Sequence, residues 1–245
     1  MTNEPMNDDQ EQLNVGLGLL ITQEIQSGID AIEKNDALNE EENFIDRAEA
    51  IDYIEFHIID RIDCMLRGGS QVEDLTRLRQ HAESLKSRLE VIDETLFQKA
   101  RANIRSGTYT REALGRWFNK HVEHVSETRD RDGLGYGALD VLVNGLLWID
   151  VALEETQEKE PDMVFLQPTP VRIVLELIKK SMITQADIFY DLGSGLGQVS
   201  ILVGLLTGAK TKGVEFEPAY CDYAERCARE LGLDHVEFIN LDARD

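Results

Sequence analysis

Cysteine is scarce: Cys64, Cys221 and Cys227 are the only three in 245 residues. They are odd in number and form no Cys-x-x-Cys pair. That argues against a disulfide framework and points to reduced thiols in a cytoplasmic protein. Basic residues are also in short supply, with 25 Lys and Arg against 47 Asp and Glu, a formal net charge of −22. Loose binding to DNA, RNA or an anionic membrane depends on Lys and Arg meeting phosphates, so this balance disfavours it while leaving room for a local basic groove. No uninterrupted apolar stretch approaches the roughly 18 residues of a membrane span. The acidic start MTNEPMNDDQEQ is not a signal peptide, and no internal repeat is visible. What is present is an ordinary soluble composition, 42% apolar and 29% charged, with enough chain for one large domain or two small ones.

The acidity is uneven. Residues 1–160 carry 17 basic and 34 acidic side chains, and residues 161–245 carry 8 and 13. After a disordered tail (1–12), Leu13, Leu17, Leu20, Ile21, Ile25, Ile29 and Ile32 form a helical stripe. A second stripe runs Phe44, Ala48, Ile51, Glu55, Ile58, Ile62 and Met65, with one acid inside it, and stops at Gly68-Gly69. Ser70-Gln71-Val72-Glu73 is a capping-box pattern. The helix that it opens carries Leu75, Leu78, Ala82, Leu85, Leu89, Ile92 and Leu96 at heptad spacing, which suits a bundle helix or a short dimeric seam. A shorter helix is expected over 110–126, and a central one, apolar nearly all round, over 137–157. The charged segment 154–162 reads as a linker. The expected organisation is therefore a helical bundle over 13–157 and a second domain over 163–245. His121 and His124 flank Glu123 at ligand-like spacing, but no third ligand stands nearby, so no metal site is expected. GLGYG at 133–137 follows no strand and reads as a loop.

Beyond the linker, a helix over 171–182 is followed by strand (188–192), helix (197–207), strand (212–216), helix (218–231, with Pro218 in its first turn and Gly232 past its end) and strand (236–241). That alternation implies parallel strands with right-handed crossovers. In such sheets ligands bind beyond the C-terminal strand ends. There the sequence reads DLGSGLGQV, with Gly193, Gly195 and Gly197 at every second position and Asp191 before them. A dinucleotide fingerprint places its third glycine one residue later, so a nicotinamide dehydrogenase is disfavoured. The carboxylate would repel a pyrophosphate and suits an ammonium or sulfonium. Glu215, at the second strand end, can accept from a ribose diol. Asp242, at the third, can accept from an adenine amine, with Phe216 as a flat neighbour. Together these describe an S-adenosylmethionine pocket.

DLGSGLGQV followed by KGVEFEP resembles the class I, seven-strand S-adenosylmethionine-dependent methyltransferases. Within them it is most similar to the non-SET histone-lysine methyltransferases (disruptor of telomeric silencing). The resemblance covers about residues 163–245. It implies that Asp191 holds the methionine amino group, that Gly193, Ser194, Gly195, Gly197 and Gln198 cradle the ligand, that Glu215 binds the ribose and that Asp242 meets the adenine. An upstream threonine of that family corresponds in spacing to Thr169, although the surrounding prolines depart from the pattern. Ala243 stands where an aromatic is common, which leaves the stacking face to Phe216. The expected fold is α/β, a helical bundle followed by the first half of a Rossmann-like sheet.

The expected activity is methyl transfer by the intact protein, to a protein lysine among the candidates. The chain as given is expected to be C-terminally truncated and inactive, with its catalytic residues beyond residue 245. The alternative is a helical interaction module carrying a partial, non-catalytic nucleotide fold. Expected partners are the methyl acceptor, such as a basic protein, and a second copy of the chain, through the 75–96 seam or the open sheet edge.

Overall fold

The heptad positions from Leu75 to Leu89 pack into a core of one chain, with Ile92 half-buried against it. In the computed structural model, which describes residues 8–67, 72–118, 137–149, 153–157 and 166–244, they lie on helix α4 (Val72–Arg105). Contact density divides the chain into two compact units, Met1–Glu94 and Thr95–Asp245. The division falls within α4 rather than at the 154–162 linker. Residues 158–162 of that linker, Ser70-Gln71 of the capping box, His121, Glu123 and His124, and positions 133–136 lie outside the described residues.

The first unit is helical. Helix α1 (Asp8–Glu33) begins five residues ahead of Leu13. Helix α2 (Phe44–Asp52) continues through a π-helical stretch, Tyr53–Ile59, into α3 (Asp60–Arg67). Ile25, Ile29, Ile54, Ile58, Ile62, Leu75, Leu78, Ala82, Leu85 and Leu89 form one core. Two stripe positions behave differently from the expectation. Leu20 is 63% exposed, because the buried face of α1 runs through Ile21, Ile25, Ile29 and Ile32. The side chains of Leu13 and Leu17 lie outside the description. In the second stripe the wider π turn shifts the register. Ile54 becomes fully buried, and Glu55 turns to meet Lys86 Nζ at 2.7 Å.

Charge also enters this core. Arg47 has no exposed surface. Its Nε donates to Asp93 Oδ1 at 2.6 Å, and its Nη1 donates to the carbonyls of Leu38 (2.9 Å) and Glu40 (2.8 Å). Burial pushes the Asp93 carboxyl up to about 6 although Arg47 pulls it down.

The second unit is a three-stranded parallel sheet in the order β1 (Ile188–Leu192), β2 (Lys210–Glu215), β3 (Val236–Asn240). Asp191 pairs with Gly213, and Glu215 with Asn240. Helices α8 (Gln198–Thr207) and α9 (Pro218–Leu231) are the crossovers. Successive right-handed crossovers in this strand order lie on one face. On the other face Ile188, Tyr190 and Leu192 are 57%, 56% and 66% exposed. Ile188, Phe189 and Tyr190 make β1 a near-continuous apolar run, a pattern that suits cover on both sides. Among the described residues it is covered on one.

Ahead of the sheet stand the helical residues 111–118 (α5), α6 (Ala138–Leu146) and α7 (Val171–Ser181). The central helix expected over 137–157 stops at Leu146. Trp148 takes a left-handed φ of 56°. Arg101 donates to the carbonyls of Gly145 and Leu146, and its guanidinium lies 4.0 Å from the Trp148 ring centroid. An arginine that captures the last carbonyls and stacks on the next aromatic ends a helix that periodicity alone would extend.

Candidate functional site

The glycine bend is built by backbone geometry. The amides of Gly193 and Ser194 both donate to the Val214 carbonyl, at 2.8 and 3.0 Å, which folds the chain back over the end of β2. Gly193, Gly195 and Gly197 have φ values of 79°, 52° and 79°. Their alternation in the sequence is thus an alternation of left-handed backbone that L side chains avoid. At Gly197 space forbids a side chain as well: a Cβ would lie 2.6 Å from Phe238 Cζ and 2.7 Å from Ala224 Cβ. At Gly193 nothing lies within 4 Å of that position, so the bend presents bare backbone to open space.

Carboxylates surround the bend. Asp191 accepts from Ser200 Oγ at 3.0 Å. Burial raises its pKa, and the nearby charge of Glu215 adds to this, while Ser200 opposes it. A buried anion in that condition gains most from a cationic ligand. Glu215 Oε2 accepts from Gly195 N at 2.7 Å, and Oε1 accepts from Glu217 N at 2.9 Å. Each oxygen has a second acceptor site, so this carboxylate can hold the bend and still receive hydroxyl donors. Asp242, two residues beyond β3, is engaged by Arg244, whose backbone N, Nε and Nη2 donate at 3.0, 2.9 and 2.6 Å. Those bonds hold its carboxyl down to about 2.

A cavity of about 70 Å³ brings together Thr169, Asp191, Gly193, Ser194, Gly195 and Gln198, closed by Ile149, Leu166, Gln167, Pro168, Leu196 and Val199. Two polar atoms of these lining residues are buried without a partner, Ser194 Oγ and Gln198 Oε1. Such orphans are costly unless a ligand or water meets them. Gly197 supports the bend from behind. Phe216 and Asp242 lie outside the cavity lining, and Glu215 reaches it through the Gly195 amide. Drug-sized ligands occupy pockets of roughly 300–1,000 Å³, so the enclosed part suits one end of a ligand, with the remainder along the open strand ends.

Several supporting residues were not apparent in the sequence. Asp140 accepts from Gly137 N and from Val171 N, each at 2.8 Å, and so pins the start of α7 and the Thr169 segment before it. Asn144 Oδ1 lies 3.4 Å from Gln198 Nε2. Asn240 Nδ2 donates to the carbonyls of Glu215 and Phe216, both at 2.9 Å. Asp140 and Asn144 were visible as polar residues four apart in an apolar helix. Asn240 and Glu217 had no such signal. Among the described residues no group of three His, Cys, Asp or Glu side chains could hold a metal, and no helix is long and apolar enough to cross a membrane.

Residues 168–238 match the model of the family described as histone methylation protein DOT1. Over 90 residues the chain is 31% identical to a probable cobalt-precorrin-6B C(15)-methyltransferase (decarboxylating) of Sulfolobus acidocaldarius, covering 34% of this chain and 47% of that protein. An RNA methyltransferase from Salinibacter ruber, solved in complex with S-adenosyl-L-homocysteine, is 32% identical over 31% of this chain and 50% of that one, with a TM-score of 0.30. The chain spans about half the length of these two relatives. Its α/β unit resembles the class I S-adenosylmethionine-dependent methyltransferases and is DOT1-like.

Proposed function

We propose that the α/β unit binds S-adenosylmethionine and that the protein transfers its methyl group to a lysine side chain of a basic protein. The observation that carries this reading is the left-handed glycine bend beside Asp191, with Ser194 Oγ and Gln198 Oε1 buried and unpartnered at its rim. The donor set fits the cofactor. Asp191 supplies a carboxylate for an ammonium, bare backbone at Gly193 admits close approach, and Glu215 keeps acceptor capacity for a ribose diol. When bound, the cofactor supplies an electrophilic methyl on a sulfonium. The residues of the chain orient it: Asp191 and the bend fix one end, Glu215 fixes the sugar, and Thr169, pinned through Val171 by Asp140, stands at the cavity. Positioning of this kind supplies much of the catalysis in an in-line transfer. The basic acceptor is supported by the acidic surplus of residues 1–160, which would draw a cationic protein and repel nucleic acid. The three cysteines are free thiols, in keeping with a reducing, cytoplasmic setting.

Titration calorimetry with S-adenosylhomocysteine tests the site. Glu215→Ala is expected to weaken binding by about 1–3 kcal/mol, because ribose hydroxyls lose a charged acceptor and Gly195 loses its anchor. Unchanged affinity would remove Glu215 from the site. Labelled methyl transfer by the intact protein to a lysine-rich protein, but not to the same protein with its lysines blocked, is the expected acceptor result. Transfer to the blocked protein would overturn the lysine assignment.

A further inference from the structure

The second glutamate of VEFEP has no part in the reading above, yet it is more buried than the first. Glu217 is 4% exposed and is the N-cap of α9. One side-chain acceptor bond, to Ala219 N at 3.2 Å, suffices for that cap. The carboxylate takes three more donors from a segment about 60 residues earlier: Thr156 N (2.9 Å), Thr156 Oγ1 (2.7 Å) and Gln157 N (2.9 Å). Burial works against its charge, but these hydrogen bonds prevail and hold its carboxyl below the usual range. Tyr220 Oη fastens the same segment independently by donating to Glu155 Oε1 at 2.7 Å. Meanwhile the backbone N–H of Glu217 donates to Glu215 Oε1, and Glu215 Oε2 receives Gly195 N. The bonds form one chain: segment 153–157, Glu217, Glu215, glycine bend.

We propose that Glu217 is a positioning residue of the cofactor site, which couples the 153–157 segment to the glycine bend by setting the orientation of Glu215. The effect on cofactor rests on the proposed function; the coupling itself does not. Four donors converging on one buried carboxylate leave it little freedom, so the Glu217 main chain is fixed as well. The N–H of Glu217 and the amide of Gly195 together hold the Glu215 carboxylate. Releasing the segment frees the Glu217 main chain, which weakens the first of those restraints and loosens the bend. By linkage, a ligand that draws on Glu215 tightens the segment to the same degree.

Hydrogen exchange on the full chain tests the coupling without any ligand. Glu217→Asp keeps an N-cap acceptor for α9 but shortens the reach to Thr156 and Gln157. The expected result is loss of protection at both amides, about tenfold faster exchange at Gly195 and an unchanged body of α9. Thr156→Ala, which leaves α9 untouched, should act in the same direction more weakly and serves if the aspartate variant fails to fold. Tyr220→Phe should loosen the segment and leave Gly195 unchanged. Faster exchange at 156–157 with an unaltered rate at Gly195 would overturn the coupling, as would Tyr220→Phe reproducing the whole effect. In calorimetry with S-adenosylhomocysteine, Glu217→Asp should weaken binding about tenfold at unchanged melting temperature. Absence of binding to the unaltered chain would count against the cofactor reading alone, since exchange at Gly195 decides the coupling.

Discussion

The two units of the chain bury carboxylates in opposite ways. In the helical unit Asp93 is set against Arg47, whose Nη1 also donates to the carbonyls of Leu38 and Glu40, while its Nη2 is buried without a partner. In the α/β unit Asp140, Glu215 and Glu217 are set against backbone amides: Gly137 and Val171, Gly195 and Glu217, and Thr156 with Gln157. A charge paired with a charge inside a core ties helices together. A charge that gathers amides shapes loops, and Glu215, with one donor on each oxygen, keeps lone pairs for a ligand. The position of each acid indicates its use: packing in the first unit, the shape of a site in the second.

The largest expected effect tests the first half of that contrast. Asp93→Ala strands the Arg47 guanidinium without a counter-charge and should cost about 3–5 kcal/mol, read as a lowered denaturation midpoint. A loss under 1 kcal/mol would mean that the pair contributes little and that the contrast is false. Next in size, Gly197→Ala forces a Cβ against Phe238 and Ala224 at a left-handed φ and should cost about 1–3 kcal/mol. Hydrogen exchange should accelerate in β1 and α8 while residues 72–94 of α4 keep their protection. Uniform loosening of both regions would refute separate local stabilities.

A smaller effect is a pH dependence confined to the helical unit. The Asp93 carboxyl is raised from 3.8 to about 6 in the fold, so the folded state binds that proton more tightly than the unfolded state. Its contribution to stability is therefore greatest below about 4 and declines as the pH rises through 6. Asp93→Asn should flatten that decline, and an unaltered slope in the variant would assign the dependence elsewhere. Smallest is the exposed pair Arg61–Glu24, at 3.0 Å with side chains 41% and 64% exposed. Arg61→Ala should shift stability by less than about 1 kcal/mol, and a larger loss would show that surface charge matters in this unit as buried charge does.

From Val171 onward the sequence by itself determined the order and type of the elements, with ends within two residues of those observed. Strand β1, the Pro218 start and Gly232 end of α9, and the three left-handed glycines follow from local rules: period, ring-fixed φ and the absence of a Cβ. It also determined that residues 75–89 carry an apolar face. Tertiary structure alone decided where that face finds its neighbours, where α6 ends and which donors each acid receives. The end of α6 at Leu146 depends on Arg101, 45 residues away, and the π turn that exchanges Ile54 for Glu55 is invisible to a fixed 3.6-residue period. Glu217 looks in sequence like any helix-capping acid, and its link to Thr156 lies 61 residues back. The reason is physical. Local rules arise from sterics within a few bonds and are written in neighbouring letters, whereas the partner of a buried charge is set by which distant backbone groups the fold leaves without water.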